Sequence, residues 1–265
     1  MGSMRELLVT AGSSLLAFLV AGFVADRIFK NKYVSVLAGL FYTLIPYRFY
    51  SLRISRDYKE ALAWVLLPIL LYGAYMLYGK GMRKGISAVL WVGFALMLIN
   101  LPLWMRDIRL YLRGEFSADG YSLQEKAVYP VQYFLTFFEA GENTNLAVDG
   151  MRDVAPLGIG FGLTFGVILY LWLMLMGRTD KQNFGCREKE IGFANLMLFV
   201  GVLAAFFSSN VFPWDDLRFS NKLYGVIVIL VQNPARLMGI ASGSFWMVTC
   251  VAALLCLDWK KEAKS

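Results

Sequence analysis

The chain contains no histidine. This removes histidine general bases, Ser-His-Asp triads and histidine-ligated metals, and leaves carboxylates as the evident proton acceptors. Cysteine is scarce as well. Cys186 lies in a polar loop, Cys250 and Cys256 lie in one apolar run, and their spacing matches no zinc or redox motif, so free thiols are expected. There is no domain linker, heptad array or low-complexity tract. Nor is there a basic, aromatic-interleaved surface apart from the apolar runs, which excludes nucleic acid as a partner despite a net charge of +7. Basic residues flanking membrane spans account for that charge.

Apolar residues dominate what is present. They make up 58% of the chain, and the mean hydropathy is +0.55. Soluble domains are ~45–50% apolar, so the excess points to a membrane protein. A span needs roughly 20 apolar residues, and runs of that length satisfy their backbone in lipid as helices. The expected class is therefore an all-α polytopic membrane protein, a single domain over residues 1–265. About seven spans are expected, at 7–24, 33–50, 61–78, 86–104, 156–176, 191–208 and 237–257. Between the fourth and fifth lies a long acidic loop, 105–155, in which Tyr129–Phe138 is too short to span and reads as interfacial or re-entrant. The glycines of the fifth run (Gly158, Gly160, Gly162, Gly166) suit close helix approach.

Lysine and arginine are densest in the short loops around Arg27–Lys32, Lys80–Lys84 and Arg178–Lys189 and in the tail, and the denser side is expected to be cytoplasmic. The expected location is the cell membrane, with the N-terminus outside and the C-terminus cytoplasmic. An odd span count in that orientation predicts that a preceding span is missing.

The chemically richest stretch is PYRFYSLRISRDYKEALAWVLLP, residues 46–68. Arginine forks recognise phosphate, and a carboxylate of raised pKa can take a proton from an acceptor hydroxyl. Arg48, Arg53 and Arg56 are the cationic candidates, with Tyr47 beside them; Glu60 opens an apolar span, where a charge is costly. A bland reading exists for each. Arg53 with Asp57 and Arg56 with Glu60 are i,i+4 pairs that neutralise one another for ~0.2–0.5 kcal/mol, and the tyrosines suit an interfacial belt. Residues 139–153 (Glu139, Glu142, Asp149, Asp153) and 210–236 (Trp214, Asp215, Asp216, Gln232, Arg236) are expected on the same side and could converge with 46–60.

The blocks GLFYTLIPYRFYSLRISRDYKEALAWVLLPILL and FPWDDL…VQNPARLM resemble the bacterial YfhO-like and 6-pyruvoyl-tetrahydropterin-synthase-related multi-pass membrane families. The matching positions are Tyr47, Arg48, Arg53 or Arg56, Glu60, Ala61, Leu62, Ala63, Leu67 and Pro68, then Pro213, Trp214, Gln232, Pro234 and Arg236. Asn233 and Ala235 stand where the family pattern has aromatics. The resemblance implies a GT-C-like membrane glycosyltransferase using a polyprenyl-phosphate-linked sugar outside the membrane. Glu60 or Asp215 would be the base, and Arg48, Arg53, Arg56, Arg236, Gln232, Trp214 and Tyr47 would hold the substrate. It implies no cofactor and gives no indication of a divalent metal. It also implies that the portion carrying the usual catalytic acid is absent, so that a membrane partner chain supplies the missing helices. A non-catalytic carrier-binding, flippase-like or assembly subunit is the alternative; a small-solute transporter ranks last, since neither inverted repeats nor mid-membrane charges are evident.

Overall fold

A computed structural model describes residues 4–49, 58–79, 123–124, 127–133, 158–179, 187–219 and 234–262, with isolated positions 86, 90, 105, 109 and 113. The elements are α1 (Met4–Phe29), α2 (Lys32–Thr43), the one-turn α3 (Pro46–Phe49) and α4 (Tyr58–Tyr78). After a 3-10 turn at Pro130–Tyr133 come α5 (Phe161–Thr179) and α6 (Glu188–Ser208). Further 3-10 turns at Asp215–Phe219 and Pro234–Arg236 lead into α7 (Leu237–Glu262). Among the described residues the sole β feature is a bridge between Val128 and Ser209. The fourth expected span, 86–104, lies outside the described residues except at Ile86 and Leu90.

Among the described residues three helices are long and apolar enough to cross a membrane: Val9–Phe29, Glu188–Ser208 and Pro234–Trp259; Ala63–Tyr78 and Phe161–Gly177 are shorter apolar helices. The third is the axis of the bundle, with 78% of its apolar stretch buried against 22% and 39% for the other two. Every residue from 241 to 252 is buried, and α7 packs against α2, α4, α5 and α6. Small residues make this approach possible: a Cβ on Gly166 of α5 would collide with the Thr249 side chain. The outer helices turn large apolar side chains outward, including Leu15, Leu19 and Phe23 of α1 and Phe165, Ile168 and Leu175 of α5. That pattern suits a hydrocarbon solvent better than water.

Local chemistry sets the boundaries. The α1–α2 turn puts Lys30 in the left-handed region (φ 52°), and its amide closes α1 on the Asp26 carbonyl at 2.9 Å. Asn31 then caps α2, its Oδ1 accepting from the amides of Tyr33 (3.0 Å) and Val34 (3.3 Å). The second apolar run is not one continuous helix. Pro46 disfavours helical geometry in the residue before it, so α2 stops at Thr43 and the chain restarts as α3. The fifth run becomes helical at Phe161, because Gly158 to Gly160 form a buried non-helical entry in which Gly160 has φ 87°. A Cβ there would lie 2.7 Å from the Pro46 ring, so glycine is required both for backbone angle and for space.

The packing defines two ends. Arg27, Lys30, Lys32, Arg187 and Lys189 gather at one, where Arg187 pairs with Asp258 (3.0 Å) and Lys189 lies over the Tyr75 ring (4.1 Å). The opposite end collects α3, the starts of α4, α5 and α7, the end of α6 and the segments 123–124, 127–133 and 209–219. The candidate site residues that are described, Tyr47, Arg48, Glu60, Trp214, Asp215, Asp216 and Arg236, belong to this second, cap end.

Candidate functional site

The cap is built on the orphan carbonyls at the end of α6, since the last four carbonyls of a helix lack intrahelical partners. Here each finds one. Tyr133 Oη (2.6 Å) and Ser208 Oγ (2.7 Å) donate to Ala205 O, and the Ser209 amide donates to Phe206 O (3.1 Å). Trp214 Nε1 donates to Phe207 O (3.0 Å), and the Val128 amide to Ser208 O (2.8 Å). Burial pushes the Tyr133 phenol above its usual pKa, against the opposing effect of the Ser208 and Ser209 hydroxyls, so it remains a neutral donor. A second clamp joins 123–124 to 210–215. Asp215 Oδ1 accepts from the amides of Leu123 (3.1 Å) and Gln124 (3.5 Å), while Gln124 Oε1 accepts from the Trp214 amide (2.9 Å) and Gln124 Nε2 donates to Asn210 O. The Ile159 amide donates to Tyr133 O (3.2 Å), tying this network to the entry of α5. The turn at Pro130–Tyr133, in which Gln132 and Tyr133 are buried, coincides with the start of the segment expected to be interfacial or re-entrant.

Trp214 and Asp215 are thus spent in part on holding the cap. Tyr47 is a packing wedge. Its buried ring meets Trp64 of α4 with centroids 5.7 Å apart and approaches Gly239 of α7. Arg236 lies exposed in the turn that opens α7, and Asp216 is exposed beside Asp215. Glu60 stands in the first turn of α4, its carboxylate outside the described atoms; Arg53, Arg56, Asp57, Gln232, Glu139, Glu142, Asp149 and Asp153 lie outside the described residues.

Arg48 differs from all of these. It is 0% exposed, among the largest fully buried side chains. Its Nη1 donates to the Thr43 carbonyl (3.2 Å) at the C-terminus of α2, and its Nη2 donates to Ser14 Oγ (3.2 Å) on α1. Its Nε has no hydrogen-bond partner among the described residues. Among the described residues no carboxylate pairs with it. A cation at a helix C-terminus is favourable by ~0.3–1 kcal/mol at an exposed position, which does not offset the several kcal/mol of desolvating an unpaired ion.

Ser14, Gln124 and Tyr133 escaped the sequence reading. Ser14 carried a signal, being polar within the first apolar run, where such a group needs a partner. Gln124 and Tyr133 carried none, since their partners are more than 70 residues away in the chain.

No cluster of three or more His, Cys, Asp or Glu side chains suited to a metal ion occurs among the described residues. Cys250 is buried, Cys256 is partly buried, and both are free thiols. No protein-family model, curated protein or solved structure matches this chain.

Proposed function

We propose that this chain works as a GT-C-like membrane glycosyltransferase, or as the carrier-binding portion of one, with its site at the cap end. The supporting observation is a fully buried guanidinium without a carboxylate partner among the described residues, at the end of the bundle where the described polar segments gather. In this reading Arg48 holds the phosphate of a polyprenyl-phosphate-linked sugar, with Arg53, Arg56, Gln232 and Arg236 around the headgroup. Glu60 is the base rather than Asp215, because the Asp215 carboxylate already accepts from two backbone amides. The bundle comprises about seven spans in the cell membrane, with the cap outside and the basic end cytoplasmic.

Transfer of sugar from a polyprenyl-phosphate donor in proteoliposomes tests this. Wild-type protein transfers sugar, and Glu60→Gln and Arg48→Lys both abolish it. Undiminished transfer in both variants defeats the site assignment. A second reading, a non-catalytic carrier-binding subunit, is favoured by the structural use of Asp215; donor binding without turnover, restored to turnover by a partner chain, would establish it.

A further inference from the structure

Asn195 places an amide on the outside of a membrane-length helix. It lies in α6 seven residues after Glu188, roughly 10 Å along the axis. The 21 residues of α6 match the thickness of the hydrocarbon, so that depth falls inside it. Phe193, Ala194 and Met197 beside it are buried, whereas Asn195 is exposed. Half of the amide is spent within the chain, since Oδ1 accepts from Tyr170 Oη of α5 at 2.7 Å. Among the described residues neither Nδ2–H finds an acceptor, and one lone pair of Oδ1 is left over. An open donor is costly in hydrocarbon, where a polar group on a second helix can satisfy it. The rest of this face is apolar: Leu196, Phe199, Val202, Leu203 and Phe206 are exposed at helical spacing, and no charge occurs from 195 to 207.

We propose that two copies of the chain meet on this face of α6, with their Asn195 amides bonded to each other across a two-fold axis. Matching of hydrogen bonds and of depth selects a second copy over other occupants. All copies share one orientation in the membrane, so the axis of a symmetric pair runs along the bilayer normal and brings like residues together at one depth. An amide is complementary to itself. Each Nδ2–H donates to the other copy's Oδ1, on the lone pair that Tyr170 leaves free. The expected span 86–104 offers no such match. It follows α4, whose Tyr78 and Gly79 end beside Gly192 and Lys189 at the start of α6. Its hydroxyl and its amide, Ser87 and Asn100, are one and fourteen residues in from its start, against seven from Glu188 for Asn195. The contact runs from Asn195 towards Phe206. Glu188, a heptad earlier at the aqueous end, lies outside it, because two like charges would otherwise face each other.

The test reconstitutes the full chain in phosphatidylcholine liposomes over a range of protein-to-lipid ratios, with energy transfer between differently labelled copies as readout. Wild-type protein should associate saturably as a dimer. Asn195→Leu, which leaves an apolar side chain facing lipid, should weaken the dimer about tenfold, ~1.4 kcal/mol. Asn195→Gln keeps an amide and should retain most of the association. Tyr170→Phe removes the internal bond without using the open donors, and should dimerise like wild type. With Cys186, Cys250 and Cys256 replaced by serine, Phe199→Cys should form an intermolecular disulfide on oxidation. Ile168→Cys should not, although Ile168 of α5 is 59% exposed and Phe199 61%. The interface is wrong if the chain stays monomeric at every ratio, if Asn195→Leu associates like wild type, or if the two thiols cross-link alike. A monomer whose Phe199→Cys thiol resists a lipid-soluble maleimide would assign the face to another segment of the same chain and overturn the proposal too. If Asn195→Leu fails to fold, the pair of cross-links decides.

Discussion

Two side chains at the cap illustrate opposite relations between burial and function. Arg48 is buried at a net electrostatic cost, so its removal should help the ligand-free fold. Arg48→Met, which preserves the apolar stem and deletes the charge, is expected to raise stability by about 1–3 kcal/mol. Chemical unfolding in detergent measures this, and a loss of several kcal/mol would show that the charge is compensated after all. Asp215 is the converse case, since its carboxylate satisfies two amides of a distant segment. Asp215→Ala is expected to cost about 2 kcal/mol, and Asp215→Asn, which keeps an acceptor oxygen, less. Were Asp215 instead the catalytic base, Asp215→Asn would abolish sugar transfer while leaving the unfolding midpoint nearly unchanged.

At the scale of an element, α4 contains a proline whose consequences reach another helix. Pro68 has no amide proton, so the carbonyl four residues earlier, that of Trp64, loses its intrahelical donor. Tyr42 of α2 supplies the replacement, its hydroxyl donating to Trp64 O while its ring packs edge-on against Trp246 with centroids 5.1 Å apart. Trp246 in turn donates from Nε1 to Ala38 O of α2 at 2.8 Å. This exchange of bonds ties α2, α4 and α7 together. Tyr42→Phe should therefore cost about 1–3 kcal/mol in the wild-type background. In a Pro68→Ala background, where the amide is restored, the same substitution should cost at least 1 kcal/mol less. A double-mutant cycle read by thermal unfolding checks the coupling, and additive effects would reject it. Pro68 and Tyr42 are each visible in the sequence. Their relation is not, because it requires α2 and α4 to meet at one level.

For the whole molecule, charge asymmetry carries the topology. The two described ends differ in kind: one bears Arg27, Lys30, Lys32, Arg187 and Lys189, the other the hydrogen-bonded cap. If the basic end is cytoplasmic, a cysteine at Asn210, in a background whose native cysteines are replaced by serine, should react with a membrane-impermeant maleimide in intact cells. A cysteine at Lys32 should react only after permeabilisation. The reverse pattern would invert the orientation and place the cap with Arg48 on the cytoplasmic face.

Composition and run length were enough to establish a helical bundle with apolar segments of spanning length, because backbone groups in hydrocarbon leave few alternatives. The glycines of the fifth run likewise announced close packing, and Gly166 against Thr249 is such a contact. Tertiary structure alone decided which polar residues serve the fold. Trp214 and Asp215 stood out as candidates by type and position, yet the end of α6 and the amides of 123–124 draw on both. Arg48 stood out on the same grounds as its neighbours. Only the placement of Ser14 and Thr43 around it, with no carboxylate beside it among the described residues, distinguishes a buried unpaired cation from an interfacial one. Local sequence specifies which helices form and where they stop; whether a charge inside them is paired depends on chain-distant neighbours, which the sequence reading could not see.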